Sequence, residues 1–249
     1  MKLLTALVML TATLWAAADD ITLMSFNIKN CNGMDRINDP ERTAAAIRSA
    51  SPDIVAIQEI DSATTRSDGR DMLANLGRLT GMNHYFGPAI DFQGGRYGIG
   101  LLSSDKALSV TVHPLPGREE QRALIVAEYP EFCVGCTHLS LTPADALASA
   151  DSIAVIARAA GKPFVLMGDF NSRPESETIA RFINNGFAII SDPAVPTFPS
   201  DSPDRTIDYI MIHRPGAGFS AGKPTVIPDS STSDHRPIVV TVSGFCGKD

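Results

Sequence analysis

The chain has 249 residues, 44% of them hydrophobic, and a formal net charge of −7. That apolar share suffices for one substantial core, and no Pro/Gly/Ser-rich linker, charge block or low-complexity run divides it, so one domain over residues 19–249 is expected. An acidic chain with no run of Lys and Arg interleaved with aromatics argues against tight nucleic-acid binding, though a local basic cleft stays compatible with it.

Met1–Ala18 begins with Lys2, is almost wholly apolar from Leu3 to Trp15, and ends in Ala16-Ala17-Ala18. This is the pattern of a secretory signal peptide cut near Asp19. A buried helix and an uncleaved anchor are the alternatives; the run is short against the ~20 residues of a membrane span. No second apolar run of that length follows. An exported protein, periplasmic or released, without a stable membrane span and monomeric, is the expectation. Cys31, Cys133, Cys136 and Cys246 form an even set, which suggests disulfides in an exported protein without fixing a pairing. Cys133-x-x-Cys136 has no second metal-ligating pair and lies within an apparent strand, so structural cysteines are the preferred reading.

In chain order, strands are expected over Ile21–Ile28, Ile54–Gln58, Tyr97–Ser103, Leu108–Val112, Ala123–Glu128, Phe132–His138, Phe164–Met167, Ile207–Ile212 and Ile238–Val242. Helices are expected from Asp39-Pro40-Glu41 and from Thr142-Pro143, each a capping residue followed by a proline at the first position, and over Asp71–Thr80 and Ser176–Asn185. Gly81 closes the helix from Asp71, Gly161 the one from Thr142 and Gly186 the one from Ser176. Helices separate some strands, but the run from Tyr97 to His138 is strand after strand. This implies an α/β fold of two mixed sheets packed face to face with helices outside.

Polar residues recur at strand ends, where a scaffold holds functional groups. Asn27 follows Met24-Ser25-Phe26, Glu59 follows Ile57-Gln58, and His138 stands between Thr137 and Leu139. Asp169 and Asn171 sit in Gly168-Asp169-Phe170-Asn171, Asp208 in Ile207-Asp208-Tyr209, and Asp234 and His235 in Ser233-Asp234-His235. Singly, each has a plain structural reading: a turn Asn, a buried His, an Asp208 paired with Arg205. Together they suit hydrolysis of a phosphate ester. Hard oxygen donors, Glu59 first with Asp234 and Asp169, favour Mg²⁺, Mn²⁺ or Ca²⁺ over zinc. An Asp-oriented histidine can serve a water nucleophile, and amides can hold phosphoryl oxygens.

At these residues the sequence resembles the endonuclease/exonuclease/phosphatase superfamily, in order from Ser25-Phe26-Asn27 to Ser233-Asp234-His235. The resemblance implies a four-layer α/β sandwich of the deoxyribonuclease type, with the site at one edge of the paired sheets. It implies a divalent metal, Mg²⁺ foremost, on Glu59 with Asn27 and Asp234. It casts Asp169 as the residue that orients or activates water and Asn171 as a phosphate holder. His235 becomes a catalytic histidine oriented by Asp208, and His138 a second histidine acting as acid or phosphate donor; which is base and which acid stays open. Gly94-Gly95-Arg96-Tyr97 resembles the segment that sends an aromatic or basic group to the phosphate. Neighbours on a strand face opposite sides, so one of Arg96 and Tyr97 points inward, and Tyr97 is favoured. Gly98-Ile99-Gly100 lacks the carboxylate that pairs the first histidine in the deoxyribonuclease branch. Phe92, Arg96, Phe198 and Arg205 are candidates for the substrate wall.

The expected reaction is hydrolysis of a phosphodiester by activated water. A phosphomonoesterase, a lipid-headgroup phosphodiesterase and a nuclease are the alternatives, and a non-catalytic binding module is the other class. No Gly-x-Ser-x-Gly elbow or His-Glu-x-x-His pair supports an esterase or a zinc protease.

Overall fold

The computed structural model describes residues 20–216 and 218–245. The leader expected over Met1–Ala18, and Cys246, lie outside these residues.

Two sheets form the centre. The first contains β1 (Asp20–Asn27), β2 (Ile54–Ser62), β3 (Asn83–Phe92) and β4 (Gly95–Ser103). The second contains β5 (Ser109–Leu115), β6 (Arg122–Glu128), β7 (Cys133–His138), β8 (Phe164–Asp169), the short β9 (Phe187–Ile189) and β10 (Asp208–His213). The chain then returns to the first sheet with β11 (Ser220–Ala221), β12 (Thr225–Val226) and β13 (Ile238–Ser243). Strand orders are β11-β13-β1-β2-β4-β3, with β12 also on β13, and β5-β6-β7-β8-β10-β9. Each sheet holds one parallel pair, β1–β2 and β7–β8; the other pairings are antiparallel.

A parallel pair needs a crossover, and a helix supplies each one. Helix α1 (Pro40–Ser49) joins β1 to β2, and α3 (Pro143–Ala159) joins β7 to β8. Two more helices, α2 (Met72–Thr80) and α4 (Glu177–Asn184), complete the outer layers. Caps start three of the four: Asp39 accepts from Arg42 N, Asp71 from Ala74 N and Ser176 from Ile179 N. Thr142 differs, because its hydroxyl donates to Glu119 Oε2 at 3.0 Å instead of capping α3.

Three apolar clusters fix the layering. Leu23, Ala56, Leu101, Ile125, Val165 and Ile210 fill the space between the sheets. Ile47, Leu73 and Leu76 cover the outer face of the first sheet; Ile153, Ala154 and Phe182 cover the second. The order is therefore helices, sheet, sheet, helices, the four-layer α/β sandwich. The central strands are buried on both faces, which is why they read as continuous apolar runs.

Strand β3 departs from the sequence expectation. Gly87 and Pro88 interrupt its pattern, and proline removes a ladder donor. The structure accepts them because β3 is an edge strand, with a register shift between Pro88 and Ile90. Among the described residues Cys31, Cys133 and Cys136 are free, buried thiols. Cys133 and Cys136 are three apart on one strand and face opposite sides, so they cannot pair. Burial pushes the Cys136 thiol up to about 12, the signature of an inert core cysteine.

Candidate active site

The C-terminal ends of both parallel pairs open at the same edge of the sandwich. Cα register sets Asn27 beside Gln58 in the first sheet. In the second it sets His138, Asp169 and Asp208 in one row across β7, β8 and β10. Gly168 allows that row to be tight, since a Cβ there would lie 2.0 Å from the Thr137 carbonyl oxygen.

Glu59 stands apart from the ladder. The β2–β4 register shifts between Gln58 and Ile60, and Glu59 takes a left-handed φ of 58°. Such a bulge turns one side chain out of the sheet's alternation. The carboxylate reaches the Asn27 side chain, whose Nδ2 donates to Glu59 Oε1 at 2.9 Å and to Asp169 Oδ2 at 3.1 Å. One amide thus joins the two sheets' carboxylates. Asn27 is itself held, its Oδ1 accepting from Lys29 N and its carbonyl from Ser233 Oγ.

Two histidines flank Asp169. Nε2 of His138 lies 3.5 Å and Nε2 of His235 3.6 Å from Asp169 Oδ2. His235 presents Nδ1 to Asp208 at 3.0 and 3.2 Å. Thr197 Oγ1 donates to Asp208 Oδ2 at 2.5 Å, and the Phe198 ring packs on the imidazole at 4.7 Å. These environments separate the histidines. Burial pushes His138 down to about 4 despite the Asp169 charge. Burial also opposes charge on His235, but Asp208 and Asp169 outweigh it and hold it at about 10. Near neutral pH His138 is therefore neutral and His235 an imidazolium. Burial foremost raises the Asp169 carboxyl above its ordinary range, against the pull of both imidazoles.

Glu59, His138, Asp169 and His235 line a cleft of about 550 Å³, with Asn27 and Asp208 buried behind them. Tyr97, Asn171, Asp234, Phe198 and Arg205 also line it, so the named sequence candidates converge on one place. Arg96 does not: it is exposed and pairs with Asp91 at 3.2 Å, while Tyr97 faces the cleft. Phe92 lines a neighbouring hollow instead. Arg205 pairs with Asp204 and stacks on Phe198, which leaves Asp208 to His235. Asn171 has a left-handed φ of 48° and donates through Nδ2 to the Leu139 carbonyl at 2.9 Å.

Sequence reasoning missed Arg122. It is 6% exposed and lines the cleft, donating to Glu120 at 2.9 Å while its Nε has no partner. A buried arginine with an orphaned donor beside a cleft is a ready anion ligand. At the start of β6 it reads in sequence as an ordinary solvated flank; only its burial distinguishes it. Thr197 was also missed, lying in a loop with no motif around it.

A divalent cation fits Glu59. Its carboxylate has Asn27 as its hydrogen-bond partner and no ion pair among the described residues. The nearby cations are committed elsewhere: Lys29 to Asp234 at 2.8 Å and Arg66 to Asp61 at 2.6 Å. An oxygen donor with uncompensated charge in an open cleft suits a hard ion. Ligand atoms of Asp169, Asp208 and His235 also lie within 4.8 Å of one another. There, however, both Asp208 oxygens already lie against the imidazole, and the group is buried, so Glu59 is the better place. Asp234, held by Lys29, can join only by exchanging that partner.

The sequence model of the Endonuclease/Exonuclease/phosphatase family matches residues 24–235. No curated protein matches the chain. Among solved structures, a family protein from Beutenbergia cavernae superposes with a TM-score of 0.76 at 22% identity, covering 90% of this chain and 72% of its own. The mannosyl-6-phosphatase Bt3783 of Bacteroides thetaiotaomicron gives 0.71 at 16% identity, with 90% and 100% covered. The human Nocturnin catalytic domain, solved with a bound sulfate anion, gives 0.67 at 20% identity, with 90% and 93% covered.

Proposed function

We propose, since this chain belongs to the endonuclease/exonuclease/phosphatase family, that it hydrolyses a phosphodiester by attack of an activated water. Members of the family are hydrolases of phosphate esters, generally dependent on a divalent metal. The observation that carries the reading is the Asn27 amide, which joins Glu59 and Asp169 on the floor of the cleft beside an imidazole backed by Asp208. The cleft continues into a second hollow beyond Glu59 and Tyr97 and a third beyond Asn171 and Arg173, giving room for an organic group on either side of the phosphate. That two-sided shape favours a diester over a monoester.

Glu59, with Asn27 and Asp234, would hold the cation, which supplies charge neutralisation at the phosphoryl oxygens. Asp169 takes the proton of the attacking water, its raised proton affinity making it a better base than an exposed carboxylate. As the water oxygen–phosphorus bond forms and the phosphorus–ester bond breaks, the His235 imidazolium gives its Nε2 proton to the departing oxygen. Asp208 steadies the charged ring throughout. Neutral His138, the second N–H of Asn171 and the orphaned Nε of Arg122 are donors to the non-bridging oxygens, and Tyr97 closes the wall.

The test is turnover of bis-p-nitrophenyl phosphate against p-nitrophenyl phosphate with Mg²⁺, Mn²⁺, Ca²⁺ or chelator, beside Glu59→Ala and His235→Ala. Metal-dependent release favouring the diester, and lost by roughly 100-fold or more in both variants, is expected. Preference for the monoester would move the reading to a phosphomonoesterase. No turnover by folded protein, with no metal-induced rise in melting temperature, would replace it with a binding module.

A further inference from the structure

Beyond Glu59 and Tyr97 the cleft opens into a hollow of about 310 Å³ that no catalytic step above uses. Each cation of its lining is already paired. Lys29 Nζ is 2.8 Å from Asp234 Oδ2, and Arg66 donates through Nε and Nη2 to fully buried Asp61 at 2.6 and 2.8 Å. Glu120 is paired with Arg122 at 2.9 Å, which leaves Glu59 as the unpaired charge of the lining and, among the described residues, no free cation there for a second anion. One wall is aromatic: the Arg66 guanidinium lies 4.6 Å from the Phe92 ring centre and 5.4 Å from that of Tyr97. The bidentate clamp on Asp61 fixes the guanidinium plane against these rings.

Asn30 also lines the hollow. Its residue is 3% exposed, it takes a left-handed φ of 53°, and its Oδ1 has no hydrogen-bond partner. An unmet buried amide is costly. An ionised phosphate offers only acceptors and an alkyl group offers nothing, whereas a hydroxyl both donates and accepts and so meets either end of the amide. We propose that this hollow is a subsite for a neutral, polyhydroxylated group of the ester, of the sugar or polyol class. Asn30 bonds a hydroxyl there, and the Phe92–Tyr97 wall packs on the C–H face of the ring. The assignment rests on the phosphodiesterase reading above.

Two diesters with the same p-nitrophenyl leaving group test it, one whose second group is a hexose and one whose second group is cyclohexyl. They are compared at saturating metal in wild type, Asn30→Gly and Phe92→Leu, with folding checked by melting. Glycine keeps the left-handed backbone at position 30 without strain. Wild type is expected to favour the hexose ester by roughly tenfold in kcat/KM, the scale of one or two lost hydrogen bonds. Each variant is expected to bring the ratio to within about threefold of unity. Equal turnover of the two esters by wild type, a cyclohexyl preference, or a ratio unchanged in both variants overturns the subsite while leaving the hydrolase intact. Release from neither ester, nor from bis-p-nitrophenyl phosphate, overturns the hydrolase reading itself.

Discussion

Glu59 and Asp169 share the amide of Asn27, and they differ in almost every other respect. Glu59 comes from the first sheet, sits on a bulge, is half-buried at the mouth of two hollows, and faces no unpaired cation. Asp169 comes from the second sheet, is 1% exposed, and lies between two imidazoles. An open carboxylate with uncompensated charge is suited to a cation. A buried one whose proton affinity has been raised is suited to proton transfer. Environment, and not residue type, divides the labour between two acids joined by one side chain.

The largest effect should come from the buried acid. Asp169→Asn keeps the shape and is expected to lower kcat by roughly 1000-fold, with no recovery at high metal concentration. The same change removes a charge that supports the His235 imidazolium, so the His235 titration followed by NMR should move down from about 10. Glu59→Gln is expected to cost roughly 100-fold at low metal and to recover partly as metal is raised, because its defect is in affinity. Rescue of Asp169→Asn by metal, with none for Glu59→Gln, would exchange the two roles.

Much of this contrast was legible in the sequence and some was not, for physical reasons. Asp169 and Glu59 each follow a run of apolar strand residues, and such runs announce buried strands whose ends can carry chemistry. The bulge that turns Glu59 outward left no mark, since glutamate is not a residue type that signals positive φ. The edge strand β3 was hidden by Gly87 and Pro88, tolerable only where one side of the strand is unpaired. The match of Lys29 to Asp234 spans the whole chain and depends on β1 and β13 lying side by side. Arg122 stands just before the apolar run of β6, and only its burial beside the cleft sets it apart.

The histidines sharpen the same comparison through pH. In chelator, burial keeps His138 neutral down to about 4, whereas an unfolded chain protonates near ~6.5. Its contribution to stability is full above about 6.5 and is lost as pH falls from there towards 4. His235 behaves oppositely: its contribution is present below about 6.5 and fades as pH rises through about 10. His138→Gln should therefore flatten the acid limb of a melting-temperature profile, by up to about 3 kcal/mol at the lowest pH, and leave the alkaline limb in place. An unchanged acid limb would show that His138 is solvated, and with it that the Asp169 side of the cleft is wetter than the Glu59 side.

The smallest effect tests how far the buried network extends. Thr197 touches neither carboxylate of the comparison; it donates to Asp208, which holds His235, which faces Asp169. Thr197→Val preserves volume but removes that donor. Asp208 then has His235 Nδ1 as its remaining side-chain donor, which leaves the imidazolium charged and its orientation less constrained. The expected result is a fall in kcat of about fivefold with KM and metal dependence unchanged, the scale of one neutral hydrogen bond acting through a neighbour. Thr197→Ser should restore the rate, because it returns the hydroxyl. A loss confined to KM, or no rescue by serine, would mean that Thr197 serves packing alone and that orientation of His235 is set by Asp208 and the Phe198 ring without it.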